Sequence, residues 1–197
     1  MRCRRFAFFI LLVTLPLSVL AAPGNVKELV KSFKAAVKGS DHQEVMALLP
    51  SLGEIGTERA IAPIFKSLDF IAKKERCYAA AVVAVAKMPE GSGWKRVTKA
   101  ARLGHNVLEN IFAIDVIAKR GDADDDPVLI SCLKDDKGPV RRRTVLALAH
   151  RRRKAVVTAL IKHMVKRDKK PDSEHQLCAV ALTRLLGKSL QMGSDYE

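Results

Sequence analysis

Aromatic residues are scarce in this 197-residue chain, where one Trp, two Tyr and seven Phe amount to 5%. Long alternating apolar and polar runs bounded by hairpin turns are missing as well, and together these absences argue against a β-sheet architecture. Cysteine is sparse. Beyond Cys3 the chain holds only Cys77, Cys132 and Cys178, too few and too scattered for a disulfide framework. Each lies among apolar residues of a predicted helix, where cysteine acts as a small buried hydrophobe. Acid is under-represented: 21 Asp and Glu face 35 Lys and Arg, for a formal net charge of +14. After Leu20 no apolar run is long enough to cross a bilayer.

The beginning of the chain reads as a secretory signal. Arg2, Arg4 and Arg5 precede an apolar run from Phe6 to Leu20 that ends in small residues. That run falls short of the roughly 20 residues a spanning helix needs. Cleavage after Ala21 puts Val19 and Ala21 at the small-residue positions, whereas cleavage after Ala22 leaves Pro23 first. The expectation is therefore a signal peptide over 1–21, a mature chain from Ala22 and a secreted or periplasmic location. No cysteine follows the apolar run to accept a lipid anchor.

The mature charge is concentrated. Lys137 to Lys170 holds thirteen Lys and Arg against the single Asp168, and the rest of the mature chain is almost neutral. Such a segment attracts anionic surfaces.

Elsewhere apolar residues recur at three and four positions, the helical period, and Gly and Pro divide the chain into about ten helices. An all-α fold of about five antiparallel hairpins over 22–187 is predicted. The first pairs Val26 to Val37 with Asp41 to Leu52, and the second pairs Glu58 to Ile71 with Lys74 to Met88. Trp94 to Leu103 with Asn106 to Lys119 makes the third. Pro127 to Leu133 leads to Val140 to His150 in the fourth, and Ala155 to Val165 leads to Ser173 to Leu186 in the fifth. The remaining residues, 188–197, read as a short disordered tail. Self-similarity supports the pairing: Phe112-Ala113-Ile114, Leu146-Ala147-Leu148 and Val180-Ala181-Leu182 recur every 34 residues. Small Ala113, Ala147 and Ala181 between bulky neighbours suit closely stacked helices.

The stretch Pro127-Val128-Leu129-Ile130-Ser131-Cys132-Leu133-Lys134-Asp135-Asp136-Lys137-Gly138-Pro139-Val140-Arg141, continuing to Thr144-Val145-Leu146-Ala147-Leu148, resembles a HEAT repeat, a unit of the armadillo-type helical solenoids. By pattern the resemblance extends over roughly residues 57 to 187. It implies an α-α superhelix in which each unit contacts mainly its neighbours and second helices line the concave face. It also implies that Asp135 and Arg141 form a structural pair across units.

Few residue groups point to chemistry. Asp122, Asp124, Asp125 and Asp126 begin like a calcium loop, but Pro127 replaces the turn glycine and Leu133 the bidentate Glu. Acids before a helix serve instead as cap and as charge at the positive end of its dipole. Gly187-Lys188-Ser189 ends a helix, whereas a phosphate-binding loop precedes one. His175 and Cys178 lack the second ligand pair of a zinc site. Neither catalytic residues, a metal site nor a cofactor is expected.

The function these residues favour is an exported, non-catalytic scaffold that binds other proteins. Arg142, Arg143, Arg151, Arg152, Arg153 and Lys154 are predicted to form one basic contact surface for an acidic protein or an anionic envelope polymer. Lys162, Lys166, Arg167, Lys169 and Lys170 extend it if they face the same way. Two alternatives follow from the resemblance, since some basic HEAT-like proteins are DNA glycosylases and others are relatives of bilin lyases. The signal sequence, the single Trp94 and the lack of aromatics within the basic run speak against nucleic acid, and no feature specifically supports lyase chemistry.

Overall fold

A computed structural model describes residues 25–167 and 173–187. The predicted signal peptide, the tail 188–197, and Lys169 and Lys170 lie outside these residues. Within them the chain is all-α, with no strand and eleven helices: α1 (Val26–Lys38), α2 (His42–Ile55), α3 (Glu58–Lys66), α4 (Leu68–Ile71), α5 (Glu75–Ala86), α6 (Ser92–Leu103), α7 (Val107–Arg120), α8 (Asp126–Cys132), α9 (Gly138–Leu148), α10 (Lys154–Arg167) and α11 (Ser173–Leu186).

Local chemistry sets many of the ends. Asp41 begins α2 by accepting the Gln43 and Glu44 amides at 2.9 Å, and Asn106 begins α7 by accepting the Glu109 amide at 2.8 Å. Gly121 ends α7 in the left-handed conformation at φ 76°, which glycine adopts without a Cβ clash. The predicted helix from Glu58 to Ile71 is broken. At Ser67 the amide turns back to Ile64 O at 3.0 Å, three residues away, and the chain restarts as α4.

The helices pack as hairpins laid side by side. Second helices follow one another in the order α2, α5, α7, α9, α11, and first helices in the order α1, α3, α6, α8, α10. One continuous apolar core lies between these two layers, with Phe33, Leu49, Ile64, Phe112, Leu129 and Leu148 fully buried along its length. Gly53 shows how close successive second helices come: a Cβ there would stand 2.2 Å from the Ala84 carbonyl oxygen on α5. Only glycine lets α2 and α5 approach to that distance. Ala113, Ala147 and Ala181 are likewise buried, on α7, α9 and α11. The residue before each differs, because Phe112 is enclosed edge-on by Phe65 and Tyr78 while Leu146 and Val180 are exposed.

Candidate binding surface

The basic segment divides into arginines turned inward and cations turned outward. Arg151 follows α9 and is only 5% exposed. Its guanidinium donates to the Asp126 carboxylate, to Asp122 O and to Ile117 O, the last at 2.6 Å. Ile117 is in the last turn of α7, and its carbonyl, which accepts the Gly121 amide at 3.2 Å, takes the Arg151 guanidinium as a second donor. The sequence reading of Arg151 as a contact residue is therefore corrected: it is an internal bridge. Arg153 also donates to Asp126, at 2.7 Å, and Asp126 is 7% exposed. Two guanidinium groups thus neutralise one buried carboxylate.

Arg143 is occupied too. It pairs through Nε and Nη2 with Asp115 on α7, and Tyr78 on α5 donates to the same carboxylate at 2.8 Å. Three successive second helices are joined across this face. Burial, followed by the nearby Asp115 charge, pushes the Tyr78 phenol well above its ordinary range. The Arg143 pKa is raised by its hydrogen bond to Asp115. Arg143 and Arg153 remain partly exposed, with their charges already matched.

The pair implied between Asp135 and Arg141 takes another form. Arg141 Nη1 donates to the backbone carbonyls of Asp135 and Asp136, both at 2.7 Å, while the Asp135 carboxylate accepts the Lys137 amide at 2.8 Å. The charge partner of Arg141 is Glu174 on α11, held through Nε and Nη2 at 2.9 and 2.8 Å. Glu174 is 3% exposed, so the planar guanidinium fork meets a desolvated carboxylate.

Three residues of the predicted surface are left. Arg152 and Lys154 are exposed and Arg142 is half-buried, and none of them has an ion-pair or hydrogen-bond partner among the described residues. They lie at the start of α9 and at the turn into α10.

The acidic run before α8 also differs from expectation. Asp125 is the N-cap residue but its side chain caps nothing; it accepts the Trp94 indole N–H at 3.1 Å, and burial raises its pKa. Asp126 serves the arginines, and the Asp122 carboxylate takes the Asp124 amide at 3.2 Å. Among the described residues no group of His, Cys, Asp and Glu is arranged to hold a metal ion. Cys77, Cys132 and Cys178 are all buried, and burial pushes the Cys132 thiol up to about 11.

Sequence reasoning missed two arginines. Arg120 ends α7, donates to Met88 O at 3.1 Å, pairs with Glu90 and stacks 4.2 Å above the Trp94 ring. It does for the end of α5 what Arg151 does for the end of α7. The reach, back 32 residues in one case and 34 in the other, is a periodic signal in the sequence. Arg96 lies in a shallow groove of about 320 Å³ between α3, α6 and α7, 3.7 Å from Glu58 and 3.6 Å from Glu109.

These features define an all-α chain of side-by-side helix hairpins joined by buried arginine bridges. No protein-family model and no curated protein sequence matches the chain.

Proposed function

We propose that this chain is an exported, non-catalytic scaffold of the HEAT-like solenoid kind, and that it binds an acidic protein or anionic envelope polymer through Arg142, Arg152 and Lys154. The supporting observation is the division of charge: Arg141, Arg143, Arg151 and Arg153 are matched by carboxylates of other helices, whereas among the described residues these three cations are not. An unmatched cation at a surface gains from an incoming anion without giving up an existing partner. The lengthwise run of hairpins offers a surface for an extended ligand.

The test reverses Arg142, Arg152 and Lys154 together to Glu and compares this variant with one in which Lys27, Lys34 and Lys38 of α1 are reversed. Both change the net charge equally. The first should elute from immobilised polyglutamate at lower salt than the second and should lose partners from the exported fraction, with helical circular dichroism unchanged. Equal loss in both variants would mean that only net charge matters, and the surface would be discarded.

A further inference from the structure

The last first-layer helix, α10, exposes two parallel rows of different chemistry. Residues four apart lie above one another on a helix face. One row runs Val157, Ile161, Val165: Val157 is partly buried, while Ile161 and Val165 are 42% and 61% exposed. The adjacent row runs Lys154, Thr158, Lys162, Lys166, and all four are exposed. At 1.5 Å rise per residue the basic row extends about 18 Å. The opposite side of the helix, with Val156 and Leu160 fully buried, is anchored in the core.

No acidic residue occurs on α10. The carboxylates on the helices packed against it are already matched, Asp126 of α8 by Arg151 and Arg153 and Glu174 of α11 by Arg141. Among the described residues the face is therefore positive without local compensation, and it is apolar along one edge. An apolar edge beside a row of long cationic side chains suits a lipid headgroup layer. Ile161 and Val165 can enter the boundary with the acyl chains, and Lys162 and Lys166 can extend to the phosphates with their methylene stems lying along the apolar row.

We infer that the outer face of α10 is a docking surface for an anionic lipid bilayer, on which the molecule lies without inserting a span. This inference goes beyond the acidic-partner reading and shares with it only Lys154, which its test leaves unchanged. A lysine near an anionic membrane surface contributes about a fivefold gain in binding, so removing two weakens it by about 25-fold.

The measurement is co-sedimentation of the mature chain with phosphatidylglycerol–phosphatidylcholine vesicles, with phosphatidylcholine vesicles as the reference. Binding to the mixed vesicles should fall as salt rises. Lys162→Gln with Lys166→Gln should weaken it by about 25-fold, and Ile161→Ser with Val165→Ser should weaken it also, both variants keeping wild-type helicity because the altered side chains are exposed. Failure to bind the mixed vesicles overturns the inference, as does binding that the serine pair leaves unchanged, since that is charge attraction without insertion. Retention of an acidic partner by a chain that ignores vesicles would remove this inference and leave the proposed function standing.

Discussion

Tyr78, Asp115 and Arg143 show how single residues tie the hairpins together. Each comes from a different second helix, and the Asp115 carboxylate between them is 9% exposed. The raised Tyr78 pKa carries a pH dependence. Unfolded, the phenol ionises near 10.0; folded, it holds its proton to higher pH, so stability is intact below that value and is lost as pH rises above it. Tyr78→Phe should cost about 1 kcal/mol near neutral pH through the lost hydrogen bond, and should flatten the alkaline decline. Urea unfolding across a pH series checks both. An equally steep alkaline decline in the variant would place its cause elsewhere.

Among elements, the hairpins were legible because core-facing residues recur at helical spacing and because Gly and Pro stand where helices end. Asn106 and Gly121 bracket α7 as their chemistry requires. The interruption at Ser67 was not legible, since the apolar period runs on through Phe65, Leu68 and Ile71, all of which are buried. Gly53 is a case in which sequence gives the residue but only packing gives its purpose. It reads as punctuation, yet it lies inside α2 against the backbone of α5. Gly53→Val should push these helices apart and destabilise by about 1–3 kcal/mol. Gly39→Ala should cost far less, because a Cβ there meets nothing nearer than 3.4 Å. Urea midpoints of the two variants provide the comparison, and equal shifts would mean that the α2–α5 contact is looser than described.

Across the whole molecule, the fold follows from periodicity, while the candidate surface does not follow from charge. A run such as Arg151-Arg152-Arg153-Lys154 is uniform in sequence, and nothing in it says which side chain turns inward. The carboxylates that decide this, Asp126 for Arg151 and Arg153 and Asp115 for Arg143, lie 25 to 28 residues earlier. The resemblance to a helical repeat pointed to a structural role for Arg141, but its charge partner comes from α11. Neighbouring cations therefore divide the labour, buried bridges on one hand and outward charges on the other. Urea unfolding of Arg151→Met beside Arg152→Glu tests it most directly. Removing Arg151 breaks a buried ion pair and should cost about 3 kcal/mol or more, while reversing Arg152 at the surface should change stability by no more than about 0.5 kcal/mol. Equal effects of the two substitutions would contradict the division on which the binding surface depends.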